Sequence, residues 1–138
     1  MNAVFVDTSA IYATLVAADS RHARARSTLE RIQSDASPLV TSSFVLHESV
    51  ALLQARSGVE AVRHLHERFV PLFARMEWVD EEIYSRAMSA LLAMRTARIS
   101  LTDWTSFELM RSLGIDRAFA FDSHFEKQGF RTLPARGK

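Results

Sequence analysis

The chain has 138 residues, of which 48% are hydrophobic and 24% are charged, and its formal net charge is +1. This size and composition are typical of one globular domain that buries a core without covalent cross-links. Because the chain has no cysteine, disulfides, thiolate metal sites and cysteine nucleophiles are excluded. We find no basic leader and no apolar run of about 18 residues, so we expect a soluble cytoplasmic protein without a membrane segment.

The basic residues are almost all arginines, since only Lys127 and Lys138 are lysines. Arginine binds phosphate and carboxylate groups through its planar fork of N–H donors. This bias is consistent with a nucleic-acid or protein partner. It is equally consistent with a GC-rich genome whose codons favour arginine.

Short apolar runs bounded by turn-forming residues predict β-strands. They cover residues 3–6, 39–41, 76–79, 118–121 and 130–133. Helical patterns lie between them, over residues 10–17, 21–34, 43–57, 59–73, 81–98 and 101–114. This alternation indicates a parallel sheet covered on both faces. We therefore predict one α/β domain over residues 1–138, with four to five strands and a frayed tail at 133–138.

Four acids lie where a surface carboxylate is unexpected. Asp7 and Asp122 each end an apolar strand, and ligands gather at the carboxyl ends of parallel strands. Glu48 lies beside an apolar helical stripe, and Asp103 lies in the opening turn of its helix. If the two strands are neighbours, the four carboxylates can meet. Singly, each has a simpler interpretation: Asp103 and Asp122 as helix caps, Asp7 as a turn residue and Glu48 as a solvated side chain.

Four carboxylates in close proximity repel one another unless protons or cations compensate their charge. Their hard oxygen atoms suit Mg²⁺ or Mn²⁺, which keep positions open for water and phosphate oxygens. Such ions activate a water, orient a scissile phosphate and stabilise the departing oxygen. The pattern therefore indicates metal-assisted hydrolysis of a phosphodiester.

The same residues resemble a known family, the PIN domain. The motifs that carry the resemblance are Asp7-Thr8-Ser9, Glu48, residues 100–103 and residues 121–125. The likeness extends over residues 4–133, and it is strongest to the toxin component of VapBC toxin–antitoxin systems. It implies an α/β/α sandwich and a Mg²⁺- or Mn²⁺-dependent ribonuclease.

The resemblance also implies roles for individual residues. Asp7, Glu48, Asp103 and Asp122 would be the acidic quartet, with Asp7 and Asp103 as direct metal ligands. Glu48 and Asp122 would bind a second ion, or hold and deprotonate the attacking water, and the Ser9 hydroxyl would lie near the metal. Toxins of this kind cleave a structured tRNA or rRNA, are silenced by a cognate antitoxin, and form homodimers.

One position departs from the resemblance: many relatives have a hydroxyl residue where this chain has Ala120, two residues before Asp122. We expect the substitution to remove a hydroxyl group from the site. All four acids are present, which argues against an inactive nuclease.

Arginines and aromatic residues give weaker signals. Arg117, close before Asp122, is a candidate for contacting RNA phosphate, whereas the arginines at positions 21, 24 and 26 fit a solvated helix face better. Trp78 and Trp104 lie in apolar patterns, so we expect both in the core. His124 is expected to be an exposed turn residue.

Two other functions compete with the nuclease. A PIN-like module could bind RNA or protein without cleaving. An aspartate-dependent phosphotransferase could use Asp7 as nucleophile, but such enzymes usually have a second acid two residues later, where this chain has Ser9.

Overall fold

The computed structural model of the chain describes residues 2–136, which fold around one five-stranded sheet. The strands are β1 (Val4–Val6), β2 (Leu39–Ser42), β3 (Arg75–Glu77), β4 (Arg117–Phe119) and β5 (Arg131–Leu133). Their spatial order is β3-β2-β1-β4-β5, and every neighbouring pair is parallel. The predicted α/β class and parallel sheet are confirmed.

Helices occupy the connections between the strands. They are α1 (Thr8–Leu15), α2 (His22–Ser34), α3 (Ser43–Ser57), α4 (Val59–His64), α5 (Glu81–Met94), α6 (Leu101–Leu113) and α7 (His124–Lys127). No helix within residues 2–136 combines the length and the apolar character needed to cross a membrane.

Two predicted helices are shorter in the structure. The helix expected over 59–73 ends as α4, and a π-helical turn (Leu65–Phe69) and a 3-10 turn (Val70–Leu72) follow it. Pro71 lies in the second turn and has no N–H group with which to continue an α-helix. The helix expected over 81–98 ends at Met94, because Arg95 adopts a left-handed conformation with φ of 55°.

The centre of the core is β1, whose three residues are fully buried. Successive side chains of a strand point to opposite faces of the sheet. Burial of all three therefore shows that helices cover both faces, as in an α/β/α sandwich. Trp104 on α6 is also buried, as predicted, but Trp78 is 73% exposed because it follows the end of β3 at the sheet's margin.

Because all strands run in one direction, their carboxyl ends share one edge of the sheet, here called the carboxyl edge, and their amino ends share the amino edge. β1 and β4 are direct neighbours, with Val6 opposite Phe119. The Asp7 N–H donates to the Phe119 carbonyl at 3.0 Å. The sequence predicted that Asp7 and Asp122 can meet if their two strands are neighbours, and the strands are neighbours.

The frayed tail expected at 133–138 is wrong for the part that the structure describes. Leu133 belongs to β5, and its carbonyl accepts from the Ala120 N–H at 3.1 Å. The Nε of Arg136 lies 2.9 Å from the Oε1 of Glu126. Residues 137–138 lie outside the described part of the chain.

Candidate active site

Asp7 is held in place at the junction of β1 and α1. It is the N-cap of α1, and its Oδ2 accepts from the Ser9 N–H at 3.1 Å and from the Ser9 hydroxyl at 2.6 Å. The Ser9 Oγ in turn accepts from the Phe121 N–H at 3.0 Å. Ser9 therefore fastens the end of β1 to the segment after β4 and fixes the orientation of the Asp7 carboxylate.

Asp103 is positioned by a reciprocal cap at the start of α6. Its N–H donates to Ser100 Oγ at 3.1 Å, and the Ser100 N–H donates to Asp103 Oδ2 at 3.2 Å. Asp122 is fixed through Oδ1, which accepts from the His124 N–H at 3.0 Å. The simpler interpretation is correct only in part: Asp103 belongs to the capping box of α6, but Asp7 is a helix N-cap rather than a turn residue, and Asp122 precedes Ser123, the N-cap of α7. The same bonds also orient the carboxylates toward a common site.

Three of the four predicted acids form one cluster. Asp7, Asp103 and Asp122 each contribute a carboxylate oxygen, and these oxygens all lie within 4.8 Å of one another. They line an open cavity of about 430 Å³, the acidic pocket. Glu48, half-buried on α3, lines the same cavity but lies outside the close group of three.

The electrostatics of the acidic pocket favour protonation when no cation compensates the carboxylates. Burial is the main cause and the charge of Asp122 the second cause of a rise in the pKa of Asp7 from 3.8 to about 7, which the hydrogen bonds from Ser9 partly oppose. Burial likewise raises the pKa of Asp103 from 3.8 to about 6, with Asp122 as the second cause. A cation between these oxygens would compensate the negative charge that burial and mutual repulsion make unfavourable for both groups.

The residues of the pocket fit a divalent cation. Three carboxylates within reach of one point are the oxygen-only donor set that Mg²⁺ and Mn²⁺ prefer. Thr8 also lines the pocket, and its buried Oγ1 has no hydrogen-bond partner among residues 2–136. This polar atom adds a further group able to bind a metal-coordinated water.

Several pocket residues were not identified as site residues from the sequence. Arg21, Arg56 and Arg98 line the acidic pocket, as does His124. Arg21 packs over the Phe121 ring at 5.0 Å, so its side chain lies against the pocket although it is 42% exposed. Its place in an arginine-rich segment was the available signal, but the sequence alone does not show which way each arginine points.

The structure contradicts the expected position of Arg117. Its Nη2 donates to the Asn2 carbonyl at 2.6 Å and to Ser37 Oγ at 3.2 Å, at the amino edge of the sheet. Arg117 begins β4 whereas Asp122 follows its end. An extended segment of five residues spans about 16 Å, so closeness in sequence placed Arg117 at the wrong edge.

The fold and the acidic pocket define a class of protein, and comparison with known proteins assigns the chain to that class. The chain belongs to the PIN domain family, which matches residues 4–131. The resemblance stated from the sequence is therefore confirmed.

Individual proteins allow a more specific comparison than the family as a whole. The 23S rRNA-specific endonuclease VapC20 of Mycobacterium tuberculosis is 35% identical over 128 residues, which cover 92% of this chain and 95% of that protein. The crystal structure of VapC20, described as a sarcin-ricin loop cleaving toxin, superposes with a TM-score of 0.80, covering 93% of this chain and 96% of that one at 34% identity. FitAcB from Neisseria gonorrhoeae shares the fold, with a TM-score of 0.68 at 17% identity over 94% of this chain and 95% of that one.

Proposed function

We propose that this protein is a Mg²⁺- or Mn²⁺-dependent endoribonuclease, the toxin of a toxin–antitoxin pair. The observation that carries the proposal is the group of three carboxylates within 4.8 Å, in a chain of the PIN domain family. The similarity to VapC20 over nearly the whole chain supports the same reaction class.

Asp7, Asp103 and Asp122 would hold the metal ion. When bound, the ion would supply positive charge for the phosphate oxygens and acidify a bound water. Glu48 lines the same cavity outside the group of three, which supports a role in accepting a proton from the attacking water. The Ser9 hydroxyl holds Asp7 in its ligating orientation.

The arginines at the rim of the pocket would bind the RNA backbone. Arg21, Arg56 and Arg98 line the cavity that the acids occupy. Arg56 is also held over the Tyr12 ring at 5.5 Å, which limits its motion. Guanidinium groups bind phosphate oxygens through paired N–H donors, so these side chains favour a polyanionic substrate at an otherwise acidic site.

The substrate proposed for the chain is a structured rRNA, with the sarcin-ricin loop of 23S rRNA as the first candidate, because VapC20 acts on it. A tRNA is the second candidate. The proposed partners are a cognate antitoxin and a second copy of the chain. Exposed apolar side chains, among them Trp78 at 73% and Leu92 at 69%, offer surface for such protein contacts.

The test is cleavage of purified 23S rRNA and of total tRNA by the isolated protein, with primer extension to map the cut. We expect one dominant cut in rRNA with Mg²⁺ or Mn²⁺, complete inhibition by EDTA, and recovery when excess Mg²⁺ is restored. Binding of RNA without cleavage in either metal would contradict the proposal. That result would favour the non-cleaving binding module instead.

A further inference from the structure

A second cavity adjoins the acidic pocket and is dominated by arginine. It has a volume of about 200 Å³ and is lined by Arg21, Arg24, Ala120, Phe121, Pro134 and Arg136. We call it the arginine pocket. Arg21 lines both cavities, so the two lie side by side and share this residue as a wall.

The three guanidinium groups converge on Phe121, the residue before Asp122. Those of Arg21 and Arg24 lie 5.0 Å and 6.0 Å from the centroid of its ring. Arg136 contacts the backbone of the same residue, because its Nη1 donates to the Phe121 carbonyl at 3.4 Å. Like charges brought together in this way are unfavourable unless an anion lies between them.

The acids nearby compensate this charge only in part. Arg21 pairs with Asp19 at 3.5 Å, and Arg136 pairs with Glu126 at 2.9 Å. Within residues 2–136, the guanidinium of Arg24 has no carboxylate at ion-pair distance and is anchored only by the Phe121 ring. Helix α2 also begins here, with no acidic residue in its first turn. Asp19 Oδ1 accepts from the N–H of its N-cap residue Arg21 at 2.8 Å and so offsets part of the positive potential of the helix dipole.

Ala120 gives the arginine pocket its room. This residue is buried, and its side chain lines the arginine pocket rather than the acidic pocket. The sequence suggested that alanine here removes a hydroxyl from the metal site. In the structure it instead provides a small wall beside the arginines, where an anion can approach the guanidinium groups.

We infer that the arginine pocket binds a backbone phosphate of the RNA, one that neighbours the phosphate being cleaved. The inference rests on the proposed function, because it takes the acidic pocket as the place of cleavage. Because Arg21 lines both cavities, a polynucleotide strand that carries a phosphate at every nucleotide presents one phosphate on each side of this residue, which favours RNA over an acidic protein segment. The pocket therefore sets how the RNA strand lies across the site.

The experiment compares Arg24→Gln and Arg136→Gln with a control, Arg31→Gln. Arg31 is an exposed arginine in the last turn of the same helix, and it lines neither pocket. Cleavage of a stem-loop with the sarcin-ricin sequence gives KM and kcat. Anisotropy of the labelled RNA gives Kd at several salt concentrations, measured in an Asp103→Asn background.

We expect Arg24→Gln to raise KM and Kd by about tenfold with little change in kcat. Its slope of log Kd against log salt should fall by about 0.7, the loss of one phosphate contact. Arg136→Gln should act in the same direction, and Arg31→Gln should change Kd by less than about twofold. Replacing the neighbouring phosphate by an uncharged methylphosphonate should weaken RNA binding by the unmodified protein but not by the Arg24→Gln protein.

Three results would overturn the inference. The first is unchanged KM and Kd in both pocket variants while the unmodified protein cleaves RNA. The second is unchanged RNA binding with weakened binding of the antitoxin, which would assign the pocket to the protein partner. The third is an equal effect of Arg31→Gln. If the unmodified protein neither binds nor cleaves any RNA, the proposed function itself fails, and that outcome is distinguishable from the others.

Discussion

The two edges of the sheet carry charged residues under opposite conditions. At the amino edge, the fold supplies the partners of Arg117, which donates to the Asn2 carbonyl and the Ser37 hydroxyl. At the carboxyl edge, the fold brings three carboxylates within 4.8 Å and raises the pKa values of Asp7 and Asp103. Two hydrogen bonds within the fold hold Arg117, although its buried Nε has no hydrogen-bond partner among residues 2–136. The clustered carboxylates at the carboxyl edge instead repel one another unless a cation compensates their charge.

This difference distinguishes residues that stabilise the fold from residues whose charges a bound cation would compensate. A charge satisfied by backbone carbonyls and hydroxyls contributes to stability, and its removal weakens the protein. Carboxylates forced together destabilise the metal-free protein, and their removal relieves repulsion while abolishing the site. Variants at the two edges should therefore change stability in opposite directions.

The largest expected effect is loss of cleavage in Asp103→Asn. An amide retains the cap of α6 through its oxygen but cannot provide an anionic ligand, so we expect the rate of RNA cleavage to fall by about a thousandfold or more. Asp116→Asn is the matched control, because Asp116 is exposed and immediately precedes β4 at the amino edge. A cleaving Asp103→Asn protein would remove this acid from the metal site.

The next effect is a gain of stability in metal-free Asp7→Asn. The folded-state pKa of Asp7 is about 7 against 3.8, so folding binds a proton between these values, and stability falls as the pH rises toward 7. At pH 8 we expect the variant to be more stable in urea by about 2 kcal/mol, with little difference at pH 4. Lower stability of Asp7→Asn at both pH values would show that the carboxylate is structural.

Arg117→Met should have the opposite effect and lower the stability of the protein. It keeps an apolar stem but loses two hydrogen bonds at the amino edge, so we expect about 1–2 kcal/mol lower stability with an unchanged cleavage rate. Urea unfolding and the cleavage assay on the same preparation check both parts. A variant of normal stability with impaired RNA binding would restore the interpretation of Arg117 as a phosphate contact.

The smallest effect concerns Ser9, whose hydroxyl donates to Asp7 but which is not one of the three clustered acids. Ser9→Ala loses the hydroxyl bond that lowers the pKa of Asp7, so protons should compete better with the metal. We expect about fivefold weaker Mn²⁺ binding at pH 7, a smaller loss at pH 8, and recovery in Ser9→Thr. If Ser9→Thr is as impaired as Ser9→Ala, space rather than the hydroxyl explains the defect.

The meeting of Asp7, Asp103 and Asp122 could be predicted because each interrupts an apolar pattern and parallel strands bring their carboxyl ends to one edge, whereas Glu48 was expected in the same group and lies outside it. The arginine pocket could not be predicted, because it depends on how α2 and the segment after β5 pack against Phe121. Arg117 was misplaced because sequence distance does not show that a strand crosses the whole sheet. Trp78 was misplaced because hydrophobicity alone does not distinguish a margin of the sheet from its centre.

The most direct test of the central claim is calorimetric titration of the metal-free protein with Mn²⁺ at pH 6.5, in buffers of different ionisation enthalpy. If Asp7 and Asp103 are ligands with pKa values of about 7 and about 6, binding should release about one proton per ion. Asp103→Asn should bind far more weakly, and Asp116→Asn should match the unmodified protein. Absence of Mn²⁺ binding, or equal binding and proton release in Asp103→Asn, would contradict a metal site formed by these acids.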